Sequence, residues 1–300
     1  MEQLNNLLSW LKAHNATGFE ENNVSFEYTQ RSGLGCIAKH SYKIDDIIFT
    51  IPRSIIIGYN TASSTPLGLF LTSLSDLDPS TKPNLTCELI IFIEMIYNLK
   101  HTDSYYHSYI ITLDYKTLPS ILSWPSDLQQ CLLGTNLGHS LNNVSKNIKD
   151  KLVYIKHLVS LSKPDADKNI TSNIVQHNSY IELLSNMDEY MLTWAWSHYL
   201  SRRYPGHFAL APGGSAESSA SPLHAREADF GNIGSLVPLL DILNHNSDHE
   251  YLRFEVTEES LLVICNHSVA QVRYISILYL FIKSYYITPL YACIGSGVVF

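Results

Sequence analysis

The chain has 300 residues, of which 45% are hydrophobic and 16% are charged, and its formal net charge is −8. A chain of this length and composition can bury a sizeable core, so wholesale disorder is excluded. Acidic residues outnumber basic ones by 28 to 20, which argues against a basic face of the kind that binds nucleic acids.

The cysteines give no sign of a metal or disulfide framework. Cys36, Cys87, Cys131, Cys265 and Cys293 are scattered and form no CxxC pair, so we expect neither a zinc site nor a set of disulfides. The N-terminus lacks the basic and long apolar regions of a secretory signal, and we therefore expect a cytoplasmic or nuclear protein.

The N-terminal part of the chain reads as one helix followed by short strands. Leucines at helical spacing predict an amphipathic helix over residues 3–14. Apolar and alternating patterns predict strands at 24–28, 36–38 and 47–52, which form a compact all-β unit. Residues 60–84 are rich in Ser, Thr and Pro and predict an irregular connection.

The middle of the chain, from Thr86 to about Tyr204, is predicted to be mostly helical. The individual helices are predicted around residues 89–97, 128–132, 148–161 and 179–204. No internal repeat is visible. The pattern therefore predicts a β unit interrupted by a long helical block.

The C-terminal part returns to β structure. Residues 212–232 have loop composition, and the apolar run 236–241 predicts a strand that leads into a polar cluster. Residues 253–256 and 261–264 predict a hairpin.

The segment Gly33-Leu34-Gly35-Cys36-Ile37-Ala38 matches the dinucleotide-binding pattern GxGxxA. That pattern should open a helix after a strand, whereas here it leads into another strand, so a Rossmann fold is excluded. Two interpretations stay open. The glycines serve a hairpin turn that needs positive φ, or they expose bare backbone to a ligand.

The segment around Asn244 and His245 places amide, imidazole and carboxylate groups, including Asp241, after the apolar run. An asparagine offers both a donor and an acceptor, which suits the edge of an adenine base. A strand that ends in an Asx turn is the structural alternative. His245 and His249 are only two histidines and do not lie on a predicted helix, so they do not predict a metal site.

Arg202 and Arg203 close an aromatic segment that contains Trp194 and Trp196. Arginines at this position can complement the dipole of a helix. An arginine here can instead bind a carboxylate with its planar fork.

Together these motifs resemble SET-domain proteins of the Rubisco large-subunit lysine methyltransferase type. The resemblance is carried by Arg31–Gly35, by Ser201-Arg202 at the end of the helical block, and by Val237–His245. Trp124-Pro125 and Leu132–Thr135 are also similar to the helical insert of this family. The resemblance covers roughly residues 5–270, and the same group includes the actin-histidine methyltransferase.

The resemblance implies an α+β fold, in which a SET-type β fold is interrupted by a long helical insertion, and S-adenosylmethionine as the cofactor. Gly33 and Gly35 would lie along the methionine part of the cofactor, and Arg202 would approach its carboxylate or the surroundings of that group. Asn244 and His245, with Asp241 in the same segment, would hold its adenine and sugar. The implied reaction is methyl transfer to a protein lysine. Histidine methylation is the alternative within the enzyme class.

The resemblance stops near Gln271. The family continues with a Tyr-Gly pair that shapes the methyl-transfer channel, and no tyrosine after residue 271 precedes a glycine here. We therefore assign no catalytic residue. A SET-fold binding module without activity is the alternative from outside the enzyme class.

Three interpretations of residues 272–300 stay open. The segment is a translated intron or another gene-model artefact, which we favour, or a membrane anchor, or a divergent core strand and helix. Lys283 and Pro289 in its apolar run argue against a membrane span. We expect this chain to be weakly active or inactive and marginally stable.

The predicted organisation has four parts. Residues 1–85 form the N-terminal helix and first part of the SET domain, 86–205 the helical insert, 206–271 the second part, and 272–300 the apolar tail. We expect a monomer that acts on a lysine-bearing protein segment and binds neither nucleic acid nor membrane. A serine hydrolase is excluded because the chain has no GxSxG motif.

Overall fold

The structure is a computed structural model. It describes residues 2–29, 33–116, 120–162, 174–210, 233–245, 252–271 and 273–277. Contacts divide the chain into two compact units. The β unit takes its described residues from 2–57, 203–210 and 234–277, and the helical unit is formed mainly by residues 58–202.

The β unit begins with the predicted N-terminal helix, α1 (Glu2–Ala13). Its apolar face buries Leu4, Leu7 and Leu11, which recur at the spacing of one helix face. The strands of the unit are β1 (Val24–Thr29), β2 (Gly33–Ala38), β3 (Ile47–Pro52), β4 (Arg203–Tyr204), β5 (Ser235–Leu236), β6 (Asn244–His245), β7 (Leu252–Val256), β8 (Ser260–Cys265) and β9 (Tyr274–Ile277).

These strands form three small sheets. The four-stranded sheet has the order β1-β2-β9-β6, the three-stranded sheet has the order β3-β8-β7, and β4 pairs with β5. The predicted hairpin near the C-terminus is confirmed as β7 and β8, which pair antiparallel from Leu252 opposite Cys265 to Val256 opposite Leu261. The sheet surfaces bury apolar side chains such as Phe49 and Val263, both 0% exposed.

Strand β9 comes from the segment predicted as a divergent tail. It pairs antiparallel with β2 and parallel with β6. Ile275 at its centre is fully buried. Residues 274–277 therefore complete a sheet, as the core-strand interpretation predicts, and residues 278–300 lie outside the described part of the chain.

The helical unit contains α2 (Tyr59–Ser63), α3 (Pro66–Ser75), α4 (Cys87–Lys100), α5 (His107–Ile110), α6 (Ser126–Gln130), α7 (Asn136–Leu161), α8 (Ile174–Ser185) and α9 (Glu189–Arg202). Helix α4 is its centre and contacts α2, α3, α5 and α9. Most of its apolar side chains are buried, and Phe92 meets Tyr199 of α9 edge-on with centroids 5.4 Å apart.

Two predictions of local structure in this unit are wrong. Residues 60–84 are not an irregular connection, because α2 and α3 lie within them. Thr65 caps α3 by accepting from the Gly68 N–H, and Pro66 at the first helical position has the φ that a helix needs. The single helix predicted over 179–204 is two helices, and Asp188 Oδ1 accepts from the Met191 N–H where α9 begins.

The predicted boundaries at 85/86 and 205/206 stay a prediction. Residues 58–85 pack with the helical unit. Among the described residues, no helix is both long enough and apolar enough to cross a membrane.

Candidate functional site

The four-stranded sheet brings the two predicted ligand-binding motifs into one structure. β2 carries Gly33 and Gly35, and β6 consists of Asn244 and His245. Strand β9 lies between them, with Cys36 opposite Ile275 on one side and Asn244 opposite Ser276 on the other. Motifs from near opposite ends of the described chain are therefore one strand apart.

The prediction that the glycines form a hairpin turn with positive φ is wrong for Gly35. Gly33 and Gly35 both lie within β2, where they pair with Thr29 and Glu27 of β1. Among the described glycines, positive φ occurs at Gly18 and Gly134. Gly35 is buried within β2, and the alternative interpretation, that the glycines expose bare backbone to a ligand, stays a prediction.

Asp241 lies in a short 3₁₀ turn, Leu240–Ile242, directly before β6. This turn contacts β2. Leu239, which precedes it, is fully buried and has φ 81° and ψ −42°. Positive φ is rare for a leucine, and backbone strain of this kind costs about 1–3 kcal/mol and clusters at functional sites.

The strained turn explains why the predicted strand over 236–241 is wrong. Strand β5 ends at Leu236, and the chain then turns through Pro238 and Leu239. Proline has no N–H for a sheet ladder, and the positive φ of Leu239 is incompatible with an extended strand. The apolar character of the run reflects burial of a turn, not a strand.

Aromatic side chains of the β unit support the turn. The Tyr204 hydroxyl donates to the carbonyl oxygen of Leu240 at 3.0 Å. The Tyr204 ring stacks on Phe208 with centroids 6.0 Å apart, and Phe208 packs on Phe254 at 5.2 Å. The backbone that leads to Asp241 and β6 is therefore held by the interior of the β unit.

Arg202, the remaining predicted site residue, is the last residue of α9 in the helical unit. Its Nη1 donates to His198 Nδ1 at 3.0 Å and to Ser201 Oγ at 2.9 Å. Arg202 belongs to the helical unit, whereas the other predicted site residues belong to the β unit. Its predicted contact with a cofactor carboxylate stays a prediction.

The sequence interpretation overlooked two residues that hold the predicted ones in place, Tyr204 and His198. Each lies within four residues of Arg202. The Asn-His motif drew attention because it is polar at the end of an apolar run. Tyr204 carries no such signal, since its partner is a main-chain carbonyl group distant in sequence. The spacing of His198 and Arg202, four residues apart on a predicted helix, is the signal that could have found His198.

The buried thiols of the β unit are not nucleophiles. Burial raises the pKa of Cys36, on the glycine strand, to about 12. Burial, with a smaller effect of Asp46, raises the pKa of Cys265 to about 11. Since the thiolate is the reactive form, both side chains behave as small apolar groups at neutral pH.

A polar cavity of about 590 Å³ lies elsewhere in the β unit. Its lining residues are Thr17, Gly18, Glu20, Asn23, His40, Tyr42, Asp46, Ile47, Ile48 and Thr50. None of the predicted site residues lines it. Within the described part of the chain, no group of three or more His, Cys, Asp or Glu side chains is placed to hold a metal ion, and His249 lies outside that part.

Comparison with known proteins identifies the fold. No family model matches the chain. SET domain-containing protein 4 of Artemia parthenogenetica is 24% identical over 221 residues, which cover 73% of this chain and 44% of that protein. The crystal structure of the SET domain of LSMT bound to lysine and AdoHcy matches with a TM-score of 0.64 at 16% identity, and covers 95% of this chain and 55% of its own.

A second solved structure, Rubisco LSMT bound to AdoMet, matches with a TM-score of 0.62 at 17% identity over 95% of this chain and 54% of its own. The chain therefore has a SET-domain fold of the Rubisco LSMT type, which confirms the predicted α+β fold with a helical insertion. It spans about half the length of the relatives that it matches.

Proposed function

We propose that the protein is an S-adenosylmethionine-dependent methyltransferase that acts on lysine side chains of proteins. The sheet order β1-β2-β9-β6 is the observation that carries the proposal, because it places the glycine strand one strand away from Asn244 and His245. The SET-type fold around that sheet supports it. The solved LSMT structure bound to lysine makes lysine the first choice of target.

The residues of the β unit fit this cofactor. Gly33 and Gly35 have no Cβ, so an extended ligand can approach the main chain of β2. An asparagine such as Asn244 supplies the donor and acceptor that an adenine edge requires. The strained Leu239 before Asp241 is a further feature of a functional site.

The chain contributes binding and alignment. When bound, the cofactor supplies an electrophilic methyl group on its sulfonium. Gly33, Gly35, Asn244 and His245 would hold and orient it, and Arg202 would bind its carboxylate. Alignment of reacting groups and exclusion of water can supply most of the rate acceleration. A target amine must be neutral to attack, and a poorly hydrated environment favours that form.

A labelled-methyl assay tests the proposal. Purified protein and S-adenosylmethionine with a labelled methyl group are incubated with a peptide library that contains lysine and no histidine, and with the matched library in which histidine replaces lysine. Label on the lysine library alone, even at the low rate expected of this chain, supports the proposal, and label on the histidine library alone supports the alternative. Cofactor binding without label on either library identifies a binding module. Asn244→Ala is the control and should abolish any label.

A further inference from the structure

A buried histidine joins the last turn of α9 to the segment after α5. His198 is 2% exposed. Its Nε2 lies 3.0 Å from the carbonyl oxygen of Asp114, and its Nδ1 lies 3.0 Å from Nη1 of Arg202. The imidazole therefore bridges a main-chain acceptor and a guanidinium.

The chemistry of the two partners fixes the tautomer of His198. A guanidinium only donates, so Nδ1 must accept from Arg202. A carbonyl oxygen only accepts, so Nε2 must carry the proton that is donated to Asp114. His198 is thus neutral and protonated on Nε2, since a charged imidazolium would point a second N–H at the guanidinium.

The same contacts fix the direction of the Arg202 side chain. The second N–H of Nη1 is donated to Ser201 Oγ at 2.9 Å, and the Ser201 hydroxyl donates to the carbonyl oxygen of His198 at 3.1 Å. Because the guanidinium is a rigid plane, two acceptors on one nitrogen orient the whole fork.

The far end of the bridge is also anchored. The carbonyl oxygen of Asp114 accepts from Trp194 Nε1 at 3.3 Å as well as from His198. Trp194 is fully buried. The hydrogen bond to Asp114 therefore fixes the imidazole ring, and its Nδ1 keeps its position relative to Arg202.

We propose that His198 is a positioning residue that holds the Arg202 guanidinium ready for the carboxylate of the cofactor. The inference rests on the proposed function, in which Arg202 binds that carboxylate. In this role, the buried imidazole of His198 holds the flexible side chain of Arg202 in one orientation.

A matched pair of substitutions separates this role from mere packing. In His198→Asn the amide oxygen can take the place of Nδ1 and accept from Arg202, but the bond to Asp114 is lost. In His198→Gln the amide nitrogen can take the place of Nε2 and donate to Asp114, but the acceptor for Arg202 is lost. If His198 only filled space in the core, loss of either hydrogen bond would have the same effect on cofactor binding.

The measurement is the Kd for S-adenosylmethionine by calorimetry, with folding of each variant checked by circular dichroism. We expect His198→Gln to raise Kd by about ten- to hundredfold, as for loss of a bond to a charged group, and His198→Asn to raise it much less. In an Arg202→Lys background, the further effect of His198→Gln should be small. Equal Kd values for the Asn and Gln variants, or fully additive effects, overturn the inference.

A second readout does not depend on the cofactor. In ¹⁵N-labelled wild-type protein, the imidazole resonances of His198, assigned by comparison with His198→Gln, should show the neutral tautomer protonated on Nε2. A charged ring or the Nδ1-protonated tautomer at neutral pH overturns the inference. Absence of cofactor binding by the wild type, with the expected tautomer, counts against the proposed function and not against the bridge to Arg202.

Discussion

The hydroxyl of Tyr204 donates to the carbonyl oxygen of Leu240 at 3.0 Å in the interior of the β unit. Leu240 lies between the strained Leu239 and Asp241, and Asn244 begins β6 two residues after this turn ends at Ile242. Tyr204 belongs to β4, which pairs with β5 just before this turn. One buried hydrogen bond therefore fixes the turn at its centre while the β4–β5 pair fixes its start.

Removal of that hydroxyl should loosen the turn. Tyr204→Phe leaves Leu240 with the bond from the Leu243 N–H at 3.1 Å, so the carbonyl keeps a partner. We expect a loss of about 1 kcal/mol in the free energy of unfolding and weaker binding of S-adenosylmethionine. Urea unfolding and calorimetry measure the two effects. Tyr190→Phe, which removes a more exposed bond to the Tyr115 carbonyl, is the control and should leave cofactor binding unchanged.

Strand β9 should be required for the site. Ile275→Ala removes a fully buried side chain between β2 and β6, and we expect a loss of about 2–5 kcal/mol in stability together with loss of cofactor binding. Tyr274→Ala alters a neighbour that is 41% exposed and should cost much less. Thermal unfolding and calorimetry compare the pair. Equal effects of the two substitutions would show that residues 274–277 do not complete this sheet.

The elements that were predicted correctly from sequence are those whose residue spacing matches the face that they bury. α1 and the β7–β8 hairpin follow directly from spacing and alternation. In contrast, α3 was obscured by the Ser- and Thr-rich composition around it, although Thr65 and Pro66 are a recognisable helix start. The Gly-x-Gly motif on β2 and the Asn-His motif on β6 were also recognisable from sequence, because each interrupts a β pattern.

Other parts of the site have no local signal. A leucine at φ 81° cannot be anticipated, because the residues that favour positive φ are Gly, Asn and Asp, and the surrounding fold imposes the conformation on Leu239. The contacts of Tyr204 with Leu240 and of His198 with Asp114 join segments distant in sequence. They depend on the tertiary structure and could not be read from spacing.

Glu94 is a buried carboxyl group at the centre of the helical unit. It is 4% exposed, its Oε1 accepts from Asn98 Nδ2 at 2.8 Å, and its Oε2 lies 3.0 Å from Thr65 Oγ1. The Thr65 hydroxyl also accepts from the Gly68 N–H and lies 2.9 Å from the carbonyl oxygen of Ala62. The single hydroxyl proton of Thr65 is therefore shared between the carboxyl group of Glu94 and the carbonyl oxygen of Ala62.

The stability of the helical unit should therefore fall as pH rises. Burial raises the pKa of Glu94 above its usual value of 4.5, although hydrogen bonds from Asn98 and Thr65 oppose the effect. The folded state then holds a proton that the unfolded state releases, so stability is greatest below pH 4.5 and declines up to the raised pKa. Glu94→Gln, which does not titrate and whose amide oxygen can still accept from Thr65, should remove this decline.

The measurement is urea unfolding between pH 4 and pH 9, followed by the far-ultraviolet circular dichroism of the helices. Glu182→Gln on the exposed part of α8 is the matched control and should keep the slope of the wild type. A wild-type slope that persists unchanged in Glu94→Gln contradicts the assignment of this pH dependence to Glu94.

Two glycines with positive φ should respond differently to alanine. A Cβ at Gly18, which has φ 101°, would lie 1.8 Å from the carbonyl oxygen of Ile48 on β3. A Cβ at Gly134, which has φ 78°, has no described atom within 4 Å. Gly134→Ala should cost about 1–2 kcal/mol through backbone strain alone. Gly18→Ala should be considerably worse, because a strand backbone must move, and the yield of folded protein and the Tm of each variant test this.

The central claim is that this sheet binds S-adenosylmethionine, and calorimetric titration of the cofactor into the purified 300-residue chain tests it most directly. We predict saturable binding with one site per chain, and its loss in Asn244→Ala with the fold intact. A wild-type chain that is folded by circular dichroism yet binds no cofactor would contradict the claim, as would an Asn244→Ala variant that binds as tightly as the wild type.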